Sequence, residues 1–370
     1  MTASRIPPRA LLLVPGGFAL LAGLNAALLL LGLPAPFRTA RLLDVHGTLL
    51  VLGFAGTVIA LERAVAVRQS WAYLAPAALG AAAVLLTTPA PRMLPGLLLL
   101  TGSAALVAVY VPLWRRSADV AVLVQAGGAV LATGAALLWL ANVPMPELLP
   151  WLSGFLILTI AGERLELARV AMLNPQAETL FGIVAATTVA GAVATLLWPT
   201  PGYALLGAAL LATTAWLVRY DIARRTLHST GLPRYTAVCL LAGYGWLLVP
   251  ATIWLLLGPV PDGRGYDAVV HAVMLGFVLS MIMAHAPVIL PAVIRRPLPY
   301  TPAMYAPVAL LHVSLLLRIA VGDARDIPWA VQAGGALNIV AVLVFVVIAA
   351  FSAVFAPKRE PQVGPQRVAP

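Results

Sequence analysis

The 370-residue sequence contains few charged residues and a single cysteine. Charged side chains account for 10% of the residues and hydrophobic ones for 62%, whereas soluble domains carry about 25% charged residues. A soluble fold of this length would leave too much apolar surface facing water, so lipid must solvate much of the chain. The lone Cys239 excludes a disulfide framework and any zinc or iron–sulfur site built from cysteines.

Long apolar runs recur along the chain, and one helical span needs roughly twenty apolar residues. They predict an all-α polytopic membrane protein with twelve transmembrane helices in contact with the lipid bilayer. The Pro-rich end at 358–370 is predicted to be a disordered cytoplasmic tail, which leaves 1–357 as a single integral membrane domain. The predicted spans lie at 10–33, 43–67, 71–88, 94–114, 119–141, 147–169, 178–198, 201–219, 235–257, 266–294, 301–321 and 328–356.

The basic residues test this layout. If the N-terminus lies in the cytoplasm, all but six of the 23 lysines and arginines fall on the cytoplasmic side. The positive-inside rule therefore predicts that both termini are cytoplasmic. It also explains the net charge of +10 as a feature of membrane topology, so we expect no nucleic-acid partner. The six exceptions are Arg38, Arg41, Arg92, Arg264, Arg318 and Arg325.

Three predicted spans, the second, sixth and tenth, share a pattern. Each contains a Gly-Phe pair followed eight residues later by a polar side chain. Because these spans are four apart, the chain reads as three four-helix pseudo-repeats, at about 9–118, 119–234 and 235–357. Chance, combined with helix packing by glycine, is the alternative explanation. The pairs and polar residues are Gly53-Phe54 with Glu62, Gly154-Phe155 with Glu163, and Gly276-Phe277 with His285.

Ionisable side chains inside spans are costly and mark candidate functional sites. His46 and His271 lie near the outer ends of the second and tenth spans. If these helices are adjacent, the two imidazoles could hold one metal ion or the two faces of one haem. Asp44 and Asp267 could then orient the histidines. The alternative is a pair of interfacial histidines bonded to lipid headgroups or to the same aspartates.

A second set of ionisable residues lies deeper in the membrane. His285 follows His271 by about 21 Å along an ideal helix and within about 40° of the same face, and His312 on the eleventh span could meet it. Around a pseudo-threefold axis, Glu62 and Glu163 would lie level with His285. These residues predict either a hard-metal or iron site or a proton-entry cluster. The alternatives are Glu-Arg pairs that end helices at the inner interface, and plain helix–helix hydrogen bonds.

Arg318 lies near the outer end of the eleventh span. It is either a snorkelling arginine or a cationic partner for an anionic group such as a haem propionate. We expect Gln125, Gln332 and Asn338 to form interhelical hydrogen bonds rather than a site.

Four short motifs stand out: Asp44-Val-His46-Gly, His271-Ala-Val-Met-Leu-Gly276-Phe277, Arg295-Arg296-Pro297-Leu298 and Leu317-Arg318. They resemble the NnrS family, twelve-span bacterial membrane proteins that bind haem and copper and are associated with nitric oxide. More distantly, the layout is similar to the catalytic subunit of haem–copper oxidases, in which the second and tenth helices hold a low-spin haem. The seventh predicted span has no histidine, so we do not expect the oxygen-reducing centre of an oxidase.

The resemblance implies a protein of the bacterial cytoplasmic (inner) membrane that is related to nitric oxide metabolism or tolerance. It implies a haem b ligated by His46 and His271 with Arg318 beside it, and nitric oxide as a candidate gas ligand. A second metal or proton-handling site would use His285, His312, Glu62 and Glu163. One rival interpretation is a proton-coupled secondary transporter with buried glutamates and histidines. Another is an assembly factor whose polar residues only hold helices together.

Overall fold

The computed structural model describes residues 8–170, 173–294 and 296–354, and all regular elements in these ranges are helical. The predicted tail at 358–370 lies outside the described residues. Within them, eleven helices are long and apolar enough to cross a membrane. With the shorter apolar helix Ser70–Leu86 as α3, the helices are α1 Pro8–Leu30, α2 Ala40–Val67, α4 Met93–Ser117, α5 Val120–Leu140, α6 Met145–Arg169, α7 Pro175–Leu197, α8 Pro199–Tyr220, α9 Leu232–Leu257, α10 Gly263–Ile294, α11 Pro302–Asp323 and α12 Pro328–Val354.

Each predicted span coincides with one of these helices to within a few residues, so the expected all-α, multi-pass character is confirmed. Only α3 falls short of the length that the other eleven reach. It is nonetheless part of the bundle and packs against α1, α2 and α4.

Large apolar side chains point outward along the bundle, as lipid solvation requires. Leu11, Leu256 and Val354 are each about two-thirds or more exposed, and a surface of this kind would aggregate in water. The helices differ in how much of them is buried inside the bundle: 72% of the apolar stretch of α6 is buried, compared with 28% of that of α12. Thus α6 lies in the interior of the bundle and α12 at its lipid-facing edge.

Hydrogen bonds show which helix ends share a side. Gln332 at the start of α12 donates to the carbonyl oxygen of Leu31, just after α1, at 2.9 Å. At the opposite side, Arg9 donates to the carbonyl oxygens of Ala292 and Val293 at 3.0 and 3.3 Å and so caps the last turn of α10. We call the side with the end of α1 the upper end, and the side with the start of α1 the lower end.

Three helices contain π-helical segments: Leu49–Gly56 in α2, Ala272–Leu279 in α10 and Leu317–Asp323 in α11. A π-helix closes its hydrogen bonds five residues apart, so its ring is wider and each residue turns less than in an α-helix. Such segments are rare and occur frequently at functional sites.

Close packing of α8 on α9 generates a stability prediction. A Cβ added at Gly207 would lie 2.5 Å from the backbone nitrogen of Leu255 and 2.7 Å from the carbonyl oxygen of Ala251. Because backbone cannot move aside as a side chain can, we expect Gly207→Ala to destabilise the protein by about 1–3 kcal/mol. Gly245→Ala is the control, since nothing lies within 4 Å of its added Cβ. Equal unfolding midpoints for the two variants in detergent, followed by tryptophan fluorescence, would contradict this packing.

Candidate functional site

Two helices change their winding just beyond a histidine at the upper end. α2 is α-helical through His46 and becomes π-helical at Leu49–Gly56. α10 is α-helical through His271 and becomes π-helical at Ala272–Leu279. Both π-helical segments contain the Gly-Phe pair that the sequence pattern identified, whereas the pair of α6, Gly154-Phe155, lies in regular α-helix.

The ring of each histidine is oriented through its Nδ1 atom. His46 Nδ1 lies 3.0 Å from the carbonyl oxygen of Gly23 in α1, and His271 Nδ1 lies 2.8 Å from the carbonyl oxygen of Asp267. A carbonyl oxygen can only accept, so Nδ1 donates in both rings and the neutral imidazole leaves Nε2 unprotonated. Neither Nε2 atom has a hydrogen-bond partner in the part of the chain that the structure describes. Both are therefore available as metal ligands.

His46 lies near His271 and Arg318. The imidazole of His46 lies within electrostatic range of the His271 ring and of the Arg318 guanidinium. Both rings are half-buried. The structure thus brings together the three residues that the sequence assigned to a cofactor.

Arg318 is neither exposed nor snorkelling. It is 8% exposed and binds the Asp267 carboxylate through two hydrogen bonds, from Nε at 2.8 Å and from Nη2 at 2.7 Å. Asp267 also lies 3.3 Å from His271 Nδ1, a contact that fits both the orienting role and the alternative of a plain histidine–aspartate bond. The third guanidinium nitrogen, Nη1, has no hydrogen-bond partner among the described residues and can donate to an anionic group.

Two glycines of α12 make room for this arginine. A Cβ added at Gly335 would lie 2.7 Å from Arg318 Nη1, and one added at Gly334 would lie 2.8 Å from the Arg318 backbone nitrogen. Only glycine permits so close an approach of α12 to the guanidinium group.

The equivalent prediction for Asp44 was wrong. Asp44 is exposed, and the His46 ring bonds to Gly23 instead. The reason is helical geometry: Asp44 precedes His46 by two residues and lies about 200° away around the helix, whereas Asp267 precedes His271 by four and shares its face.

Sequence reasoning missed a buried carboxylate beside this pair. Asp323 is 6% exposed and interacts electrostatically with Asp267 and Arg318. Its Oδ2 has no hydrogen-bond partner within the described ranges. It lines a cavity of about 590 Å³ that opens at the upper end. The predicted eleventh span stopped at residue 321, which left Asp323 in a loop.

A second polar cluster joins α2, α5 and α6 nearer the lower end. Arg63 Nη2 donates to Glu62 at 2.6 Å and to Glu163 at 3.0 Å, and Arg63 Nη1 donates to Gln125 at 3.1 Å. The Arg63, Glu62 and Glu163 side chains are 13%, 23% and 15% exposed. They lie between helices rather than at solvated helix ends, and Gln125 forms the interhelical bond expected of it. The hydroxyl of Tyr110, which interacts electrostatically with this cluster, has no partner among the described residues.

Arg164 organises a third network at the same end. Its Nε and Nη2 atoms bind the fully buried carboxylate of Asp221 at 2.6 and 2.8 Å, and the Tyr244 hydroxyl donates to that carboxylate at 2.8 Å. Arg164 Nη1 lies 3.4 Å from His285 Nε2, while His285 Nδ1 lies 2.8 Å from the carbonyl oxygen of Met281. Both nitrogens of His285 are therefore engaged within the protein.

His312 is engaged in the same way. Trp246 Nε1 donates to His312 Nδ1 at 2.9 Å, and the Ser280 hydroxyl lies 3.4 Å from His312 Nε2. The Trp246 and His312 rings are nearly parallel, with an interplanar angle of 6°. These contacts fit the helix–helix hydrogen bond that was the alternative interpretation of this residue.

The four residues predicted for a second metal or proton-handling site thus divide among three networks. Glu62 and Glu163 meet at Arg63, His285 meets Arg164, and His312 meets Trp246. Across the described residues, no group of three or more His, Cys, Asp or Glu side chains could hold a metal ion.

The expectation that His271 and His285 share a helix face assumed one uniform α-helix. Eight of the residues between them, Ala272–Leu279, are π-helical, and each turns less than the 100° of an α-helix. The accumulated rotation is therefore smaller than expected, and His285 contacts Arg164 of α6.

Asp221, Tyr244 and Trp246 were also missed by the sequence analysis. A signal for Asp221 was present, because it is the only acidic residue in a segment rich in arginine, 219–234. A lone carboxylate among so many cations indicates a specific partner, here Arg164. Tyr244 and Trp246 gave no signal, since aromatic residues are common in apolar helices.

Fold and site together define a multi-pass α-helical membrane protein with a histidine pair on two helices and buried arginine networks. The chain belongs to the family described as a domain of unknown function (DUF8744), whose model matches residues 9–354. No curated protein matches it.

The Arg164 network generates a prediction about stability. Replacing Arg164 by alanine would leave the buried Asp221 carboxylate without its counter-charge, so we expect a loss of about 3–5 kcal/mol. The control is Arg169→Ala, because Arg169 pairs with Asp119 and Glu178 but is 40% exposed, and we expect a loss below about 1 kcal/mol. Chemical unfolding in detergent measures both values, and similar losses for the two variants would contradict the assigned burial of the charge pair.

Proposed function

We propose that this protein is a haem-binding integral membrane protein in which His46 and His271 ligate a b-type haem near the upper end. One observation carries the proposal. Two imidazoles on different helices lie near each other and are fixed through Nδ1, and neither Nε2 atom has a hydrogen-bond partner among the described residues. Neutral imidazole with Nδ1 bound to a carbonyl is the usual form of a haem or metal ligand.

The surrounding residues fit such a group. Arg318 Nη1 is free to donate to a propionate, while Asp267 neutralises the rest of the guanidinium and holds the His271 ring. When bound, haem supplies a one-electron redox couple. His46 and His271 would hold the group, and a haem held by two histidines would serve electron transfer rather than direct gas binding. The link to nitric oxide metabolism or tolerance, and to copper, is supported only by the NnrS-like motifs.

The same proposal includes twelve crossings, with α3 as the third, and both termini in the cytoplasm of a bacterial inner membrane. The uneven distribution of arginines supports this topology. The three-repeat arrangement is supported by links among α2, α6 and α10. Arg63 of α2 binds Glu163 of α6, Arg164 of α6 contacts His285 of α10, and the lower half of α10 packs on that of α2.

A proton-coupled secondary transporter is the alternative function. The observation that favours it is an excess of buried carboxylates near both ends. Arg63 faces Glu62 and Glu163, and Arg318 faces Asp267 and Asp323, so each arginine leaves one carboxylate without a cation. A metal-free, colourless protein that couples proton movement to uptake in vesicles would favour this alternative.

The haem proposal predicts a spectrum. Protein purified from haem-supplied cells is expected to show the reduced absorption bands of a low-spin b-haem, and His46→Ala and His271→Ala are each expected to abolish them. Asp267→Asn is expected to weaken haem binding about 10–100-fold, because it removes the group that orients His271. His228→Ala, in an exposed loop, is the control and should keep the full spectrum. A colourless wild-type protein, or bands that survive both histidine substitutions, would refute the proposal.

The topology has its own test. With twelve crossings, fluorescent proteins fused to the N-terminus and to the C-terminus should both fold in the cytoplasm and fluoresce, while alkaline phosphatase at either position should stay inactive. The same reporters inserted in the α1–α2 loop should give the opposite pattern. If α3 does not cross, the C-terminal reporter changes sides and the two ends disagree.

A further inference from the structure

A basic pocket lies at the lower end, between the start of α7 and the segment that follows α8. It has a volume of about 450 Å³ and is lined by Arg219, Arg224, Arg225, His228 and Asn174. It is separate from the histidine pair, which lies at the upper end. Cavities of this size are typical of small-ligand sites.

The one acidic residue in the pocket wall does not neutralise these cations. Both oxygens of Asp221 are already bound: Oδ1 accepts from Arg164 Nη2 and from the backbone nitrogen of Ala223 at 2.7 Å, and Oδ2 accepts from Arg164 Nε and from Tyr244. Its side chain is fully buried. Asp221 therefore does not neutralise the positive charge of the pocket arginines.

The three pocket arginines also lack ion pairs with any carboxylate in the described ranges. Arg224 makes only a long bond of 3.5 Å to the carbonyl oxygen of Arg219. By contrast, two other arginines at the lower end, Arg9 and Arg116, donate to carbonyl oxygens at helix ends. Arg219 lies over the Tyr220 ring, 5.1 Å from its centroid, a contact that leaves its charge in place. The positive-inside rule explains why arginines are at this end, but not why three without a carboxylate partner surround a single concavity.

The start of α7 adds to the positive potential. Asn174 caps this helix by accepting a hydrogen bond from the backbone nitrogen of Gln176 at 2.9 Å, and the helix dipole places partial positive charge at that end. Guanidinium groups bind phosphate oxygens with paired hydrogen bonds. Basic pockets between helix ends at the membrane surface are typical sites for anionic lipid headgroups.

From this arrangement we infer that the pocket binds a phosphate group at the lower membrane face, through Arg219, Arg224 and Arg225. The group belongs either to the headgroup of an anionic phospholipid or to a soluble phosphate compound. The inference is independent of haem binding, since it uses none of the residues at the upper end.

The test uses delipidated full-length protein in detergent, with two probes. Phosphatidylglycerol is added, with phosphatidylcholine for comparison, and bound lipid is counted by native mass spectrometry. Inorganic phosphate is titrated separately by calorimetry. The variant is the triple substitution Arg219→Gln, Arg224→Gln, Arg225→Gln. The control removes the same charge from exposed arginines at the same end but outside the pocket: Arg68→Gln, Arg115→Gln, Arg234→Gln.

We expect the pocket variant to bind phosphatidylglycerol or inorganic phosphate at least about tenfold more weakly than the wild type does, since each arginine near an anionic headgroup contributes about 1 kcal/mol to binding. The control should stay within about threefold of wild type. If the protein binds phosphatidylglycerol in preference to phosphatidylcholine and the pocket variant loses this binding, the ligand is a lipid. If instead the pocket variant loses the binding of inorganic phosphate, the ligand is a soluble phosphate compound. If neither probe binds, or both variants lose binding equally, the inference is overturned.

Folding is checked by the unfolding midpoint without added anion, which should be the same for variant and control. Should the triple variant fail to fold, the single substitutions Arg224→Gln and Arg225→Gln carry the test. Each should then bind the active probe more weakly than Arg115→Gln does. Equal binding by all three single variants would overturn the inference.

Discussion

An arginine inside an apolar bundle keeps its charge at any ordinary pH, so another part of the protein must neutralise it. Three arginines impose this condition here. Arg63 is neutralised by Glu62 and by Glu163 of α6, Arg164 by Asp221 after α8, and Arg318 by Asp267 of α10. Apart from the contact of Arg63 with its neighbour Glu62, these pairs join different elements of the fold and form only when those elements stand in one relative position. The arrangement of the inner helices depends on these three contacts.

Buried charge pairs contribute more to specificity than to net stability, because desolvation offsets much of their attraction. In this bundle they add directional contacts between helices whose surfaces are largely apolar. The upper pair has an added consequence. Since Asp267 holds both Arg318 and the His271 ring, the same contact that joins α10 to α11 also determines which nitrogen of the histidine is left free.

The spans were predictable because a helix that crosses lipid must be long and apolar, so nearly every residue in it contributes to the signal. The approach of His46 and His271 was expected from their similar depth, provided that the second and tenth helices are adjacent. What failed was local geometry. An ideal helix put His285 on the face of His271, but the π-helical segment Ala272–Leu279 turns more slowly. Asp44 and Asp267 seemed equivalent because each lies close to a histidine in sequence. However, a separation of two residues places Asp44 and His46 on different faces of the helix, whereas a separation of four places Asp267 and His271 on the same face.

Partners distant in sequence were the other source of error. Nothing near His312 indicates that Trp246 would donate to it, and nothing near Arg164 indicates Asp221. Only the folded bundle brings these groups together. Glycine pairs such as Gly334-Gly335 look like generic helix packing in the sequence, and their particular role beside Arg318 is visible only with the guanidinium in place.

The π-helical segments also bear on how members of this family should be aligned. Such a segment holds a surplus residue relative to an α-helix, so a relative could lose one residue within Leu49–Gly56 and still form a continuous helix. Everything beyond the gap would swing by about 100°, and Glu62 and Arg63 would turn toward different neighbours while His46 kept its place. Alignments of this family should therefore permit gaps in the middle of α2 and α10, where helical proteins ordinarily have none.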